Sequence, residues 1–160
     1  MSDDGYAIWP EPARTMAQGV DAAVAAARAA DAAAFAEATT ALRRVDREQL
    51  WILLGEMTRD LLERSHPDGL ESEDAEEILR SCIRATAGWY VPLDSDALIR
   101  ALTGALGVSE AEETPPEAAV LAAHGLLLIA DRLAALKLAS MPILEAALRE
   151  LRRAQTIELP

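Results

Sequence analysis

Residues 117–139 read EAAVLAAHGLLLIADRLAALKLA, and this stretch decides the fold. Alanine and leucine, two of the strongest helix formers, supply most of it. Its first half is apolar nearly all round a helical wheel rather than along one stripe. A helix of that kind needs neighbours on every side, so it is expected at the centre of the molecule. The uncharged apolar run within it, Ala118 to Ala130, is interrupted by His124 and falls short of the ~20 residues a membrane span requires. No membrane partner is expected.

The rest of the chain carries the same bias. Alanine makes up roughly a fifth of the 160 residues, set among leucines with few β-branched runs. Alanine loses no side-chain entropy in a helix, so the backbone outcome is helical throughout. A chain of this length buries enough surface for one core, roughly 68–70% of what it exposes unfolded. The expected architecture is all-α, a single compact bundle of six or seven helices over residues 15–160, behind a loose N-terminal arm at 1–14. Gly5, Pro10 and Pro12 break the periodicity of the arm, while Tyr6, Ile8 and Trp9 offer ways to tack it onto the core.

Local signals place the helices. Thr15-Met16-Ala17-Gln18 has capping-box spacing for a first helix ending near Ala30. Asp31 either caps a second helix through Phe35 and Leu42 or rides on the surface of a longer one. Asp46 opens a third, with Leu50, Leu53, Leu54, Met57 and Leu61 as its buried stripe and Gly55 as a site of close approach. Pro67 and Gly69 mark its end. Carboxylates between Glu71 and Glu77 begin a fourth helix, favoured by the positive end of its dipole. Its two apolar rows, Ile78-Cys82-Ala85-Trp89 and Leu79-Ile83-Thr86-Tyr90, are expected to run to Val91-Pro92. Asp94 caps a fifth, with Gly104 as a close-packing site and Gly107 as its stop. Thr114-Pro115-Pro116-Glu117 combines a Thr cap, proline at the first helical position and glutamate two residues on, and opens the central helix. Ser140 and Pro142 restart a last helix, Ile143 to Arg153. The pattern Val45-Asp46-x-x-x-Leu50-x-x-x-Leu54 recurs as Leu93-Asp94-x-x-x-Leu98-x-x-x-Leu102, which suggests a helix-pair pseudo-repeat.

Function is far less legible. The formal net charge is −12, and Arg149, Arg152 and Arg153 form the basic cluster, best read as complementing the end of a helix dipole. No nucleic acid partner is expected, because phosphate binding needs a basic stripe. Cys82 is the single cysteine, so no internal disulfide forms, and Met1-Ser2-Asp3-Asp4 does not resemble a secretory start; the expected location is cytoplasmic. Metal-ligand spacings are missing, as is a P-loop: Leu102-Thr103-Gly104-Ala105-Leu106-Gly107 lacks the lysine. Glu56, Asp60 and Glu63 share a helical face and read as solvated. No catalytic residue, metal or cofactor is therefore assigned.

Two functional expectations remain. The first is a non-enzymatic interaction or regulatory domain with a protein partner or a second copy. Its candidate surfaces are the stripe Met16, Val20 and Val24 and the aromatic corner Trp89-Tyr90. The second is a small-molecule or catalytic pocket near His124, with Asp131 and Cys82. His124 has no side-chain partner on its own helix, so its hydrogen bond is expected from elsewhere.

Overall fold

The computed structural model of the chain describes residues 9–107 and 117–158. Seven helices occupy these residues: α1 (Ala13–Arg28), α2 (Ala32–Leu42), α3 (Arg47–Ser65), α4 (Ser72–Thr86), α5 (Ser95–Ala105), α6 (Ala118–Leu136) and α7 (Ser140–Glu158). No strand occurs among the described residues. The protein is all-α, a single bundle. Tyr6, Ile8, the acidic linker from Ser109 and the Thr114-Pro115-Pro116 signal lie outside the described residues.

The central position of α6 follows from its composition. α1, α2, α3, α4 and α5 all pack on it, and α7 packs on α3 and α1. Leu126, Leu127, Leu128, Ile129 and Leu133 are buried from every side. By length and hydropathy α6 is the one described helix that meets the threshold for crossing a membrane, yet 61% of its apolar window is buried inside the bundle. Its first turns depart from expectation: Ala118 to Ala122 are only half-buried, so the apolar wheel is not fully enclosed at that end.

Three aspartates set the helix starts. Asp31 accepts from Ala34 N at 3.0 Å, which resolves its role as a cap rather than a surface residue. Asp46 accepts from Gln49 N at 3.0 Å, and Asp94 from Asp96 N at 3.0 Å. Each satisfies an orphan amide of the first turn. The pseudo-repeat survives only as a correspondence between α3 and α5. Both enter through an aspartate cap and bury the matching leucines, Leu50 and Leu54 against Leu98 and Leu102. The helices that follow them differ, because α6 is the core and α4 lies across its flank.

Several boundaries move. α1 begins at Ala13, two residues before the expected cap; Thr15 instead donates to Glu11 Oε2 at 2.6 Å. Trp9 is buried in the core, so the end of the arm is tied down. α4 stops at Thr86, and the backbone amides of Trp89 and Tyr90 both donate to the Thr86 carbonyl as the chain turns through Gly88. Ala85 is exposed and Thr86 takes its place on the inner face. α7 continues to Glu158, so Arg149, Arg152 and Arg153 do not stand in its last turn. Arg149 and Arg153 pair with Glu145 at 3.9 Å and Glu150 at 3.5 Å instead.

Of the two glycines expected at close approaches in α3 and α5, only Gly104 stands at one. A Cβ on Gly55 would meet nothing within 4 Å, whereas one on Gly104 would lie 2.7 Å from Trp51 Cζ2. Gly104 is where the helices close in, and Gly55 is merely a weak point in a helix interior. Gly55→Ala is expected to stabilise the fold by about 0.5–1 kcal/mol, the helix-propensity difference. Gly104→Leu is expected to cost about 1–3 kcal/mol by overpacking against Trp51. Opposite shifts of the urea midpoint would bear this out; destabilisation of equal size at both positions would contradict it.

Candidate functional site

His124 occupies a structural position. It is 1% exposed, and both ring nitrogens are satisfied by backbone. Nε2 accepts from the Asp94 amide at 2.9 Å, while Nδ1 lies 2.8 Å from the Val120 carbonyl one turn back on α6. A carbonyl only accepts, and the Asp94 N–H only donates, so the pair selects the neutral ring with its proton on Nδ1. His124 thus ties the start of α5 to the middle of α6. One partner comes from outside its helix, as expected; the other is a backbone carbonyl, which no side-chain pattern announces.

Asp131 and Cys82 belong to a different contact, between α4 and α6. Asp131 Oδ1 accepts from Ser81 Oγ at 3.0 Å, and Oδ2 accepts from Arg132 Nη2 at 2.8 Å. Arg132 Nη2 also donates to Ser81 Oγ at 3.3 Å. The ion pair is nearly enclosed, with both side chains under a tenth exposed. Cys82 lies beside it, with Sγ 3.9 Å from Thr86 Oγ1. Burial pushes its thiol up to about 12, and the nearby Asp131 charge adds to the shift. A thiol so placed is protonated and a poor nucleophile at neutral pH. The expected grouping of His124, Asp131 and Cys82 into one pocket therefore does not form: none of the three lines a cavity described below.

The expected interaction surfaces also change character. Met16, Val20 and Val24 are buried, because α1 packs on α2, α6 and α7 and spends its apolar stripe internally. Trp89 and Tyr90 fold onto Phe35, with edge-on ring contacts at 5.6 and 5.3 Å. The Trp89 indole donates to the Ala85 carbonyl at 3.0 Å, and Tyr90 approaches His124 at 6.0 Å between centroids. The corner is half-buried and braces the α2–α4–α6 junction rather than standing free.

Surface carboxylates are engaged locally. Glu56 pairs with Arg59 at 2.6 Å and Asp60 with Arg64 at 2.8 Å. Glu77, whose carboxyl is lowered mainly by its hydrogen bond from Arg84, also pairs with Arg80. Among the described residues, no three His, Cys, Asp or Glu side chains gather as a metal set. Among the described residues, no buried polar side-chain atom is left without a partner.

Besides a space of about 420 Å³ between Trp9, Met16, Leu148 and Leu151, the fold leaves open a groove of about 650 Å³ between the α2–α3 turn and the first turns of α6. Its floor is apolar: Leu42, Val45 and Leu50 on one side, Leu121, Ala122 and Leu126 on the other. Trp51, 38% exposed, forms one wall, and Ile52 beside it on α3 is 40% exposed. Trp51 also borders a smaller cleft of about 150 Å³ against Gly104. Arg43, Arg47, Glu48, Thr39 and Glu117 stand at the groove's polar edge. Arg43 and Arg47 make no ion pair or side-chain hydrogen bond among the described residues, unlike most of the arginines elsewhere on the surface. This basic cluster, Arg43-Arg44-x-x-Arg47, was readable in the sequence but lies in a connection with no helical periodicity to mark it.

Comparison with protein-family models, with curated proteins and with solved structures finds no match for this chain.

The two buried polar contacts can be told apart by their deletion costs. Asp131→Ala leaves Arg132 as an unpaired buried charge and is expected to cost about 3–5 kcal/mol. His124→Phe strands the Asp94 amide and is expected to cost about 1–3 kcal/mol. Nitrogen-15 NMR of the imidazole should show the proton on Nδ1; the Nε2–H form would refute the assignment. Cys82 should resist thiol reagents at pH 8 until the protein unfolds, and rapid labelling of the native state would contradict the burial argument.

Proposed function

We propose that this protein is a non-enzymatic binding domain of regulatory type, and that the groove beside Trp51 is its working surface. One observation carries the reading: the most apolar helix of the chain leaves its first turns half-open, beneath a cavity of about 650 Å³. That volume is within the ~300–1,000 Å³ range of ligand sites, and an apolar floor with a few polar groups at the edge is their usual composition. The groups capable of chemistry point the same way. His124, Asp131 and Cys82 are each committed to a structural contact. A single buried free thiol also favours a reducing, cytoplasmic setting.

A protein partner is the second reading, and the exposed pair Trp51 and Ile52 favours it. Exposed tryptophan at the lip of a cleft is the type of anchor that dominates protein interfaces.

Filling the groove tests both. Ala122 is half-buried in its wall, and Ala122→Trp should occupy the space while shifting the melting temperature by only a few degrees. Native mass spectrometry of the protein from its own host should show an additional non-covalent mass on the wild type and none on the variant. A small mass supports ligand uptake, and a second polypeptide supports docking. A wild type that carries nothing, or a variant that carries the same mass, would remove the groove from consideration.

A further inference from the structure

We infer that the groove takes a single-chain amphipathic anion, a free long-chain carboxylate, with its tail on the leucine floor and its headgroup between Arg43 and Arg47. This rests on the groove being the working surface and adds the chemistry of its occupant.

Charge argues for the headgroup. The chain has a net charge of −12, and across most of its surface the arginines are taken up by carboxylates one helical turn away, as in Arg59–Glu56, Arg64–Asp60 and Arg80–Glu76. Arg43 and Arg47, like Arg44 and Arg152, have no such partner among the described residues, and these two stand at the groove's edge. Glu48 and Glu117 stand at the same edge, yet neither closes an ion pair with them. Helix electrostatics accounts for Arg43, which follows the last residue of α2 and faces its negative end. It does not account for Arg47, the first residue of α3, where a cation opposes the positive end of the dipole. An anion bound there would meet the guanidinium, and the planar donor fork of arginine suits a carboxylate in bidentate contact.

The floor argues for the tail. Leu42, Leu50, Leu121 and Leu126 line the groove together with Ala118, Ala119 and Ala122, an aliphatic lining that a hydrocarbon chain matches. The floor residues are aliphatic, and Thr39 and Trp51 are the uncharged hydrogen-bonding side chains of the lining, so a ligand with many uncharged polar groups would be desolvated with little compensation.

Titration calorimetry with octanoate, decanoate and dodecanoate, kept below micelle formation, supplies the test. One-to-one binding should tighten about fourfold per added methylene while the tail fits, the value of burying one CH₂. Dodecanol, with the same tail and no charge, should bind at least tenfold more weakly than dodecanoate. Both arginines are exposed, so Arg43→Glu with Arg47→Glu should leave the melting temperature nearly unchanged and weaken dodecanoate at least tenfold. Amide shifts on binding should fall within residues 42–51 and 118–126. Several results would overturn the inference: no saturable binding, equal affinity for dodecanol, indifference to the double variant, or shifts centred elsewhere. Co-sedimentation with anionic vesicles without one-to-one binding of the free acid would assign the surface to a membrane and overturn it too. Failure of dodecanoate while the wild type still carries a groove-dependent mass would refute the carboxylate and leave the groove's role standing.

Discussion

Everything in this fold depends on one constraint: α6 has almost no polar side of its own and must be covered. Five helices lie against it, and burying its leucines is the driving force that collects them. The three polar residues it carries in its buried part then specify how they dock. His124 accepts an amide at the head of α5, and Asp131 with Arg132 holds Ser81 of α4. Hydrophobic burial is non-directional, whereas a buried polar group is costly unless one specific partner is in place. Apolar surface assembles the bundle, and these contacts select its register.

The same division explains what the sequence made legible. Helix type and the central position of α6 follow from propensity and periodicity, which are properties of consecutive residues. The caps at Asp31, Asp46 and Asp94 are equally local, since each reaches only the next turn. Misreadings occur where two helices must be known together. Gly55 and Gly104 look alike in a helical pattern, and only the placement of Trp51 separates them. Met16, Val20 and Val24 form an amphipathic stripe in either case; whether it faces a partner or the core depends on α6 and α7 lying across it.

The candidate site shows this more sharply. Residue types capable of chemistry drew attention to His124, Asp131 and Cys82, and the fold employs all three as internal ties. The cost of burying such groups admits them to the core only where a partner waits. Arg43 lies in the short connection after α2 and Arg47 opens α3, where no apolar periodicity ranks one charge above another. What sets them apart is a place at the groove's edge together with the lack, among the described residues, of a carboxylate at pairing distance, and that emerges only once the neighbouring helices are in place.

The groove itself follows from the way α6 is covered. α5 and α3 close over its middle, and their entries are fixed by the Asp94 and Asp46 caps. α2 is short and ends at Leu42, and the chain must reverse through Arg43 to Asp46 before α3 can begin. That reversal lifts the backbone away from α6 just where α6 starts, so its first turns meet a turn rather than a helix face. Alanine at 118, 119 and 122 keeps the resulting gap from being filled from below. Larger residues there would bury more apolar surface and stabilise the bundle, at about 25 cal/mol per Å² removed from water. Small side chains under a gap, with guanidinium groups at its edge that meet no carboxylate among the described residues, are the features on which the proposed binding role rests.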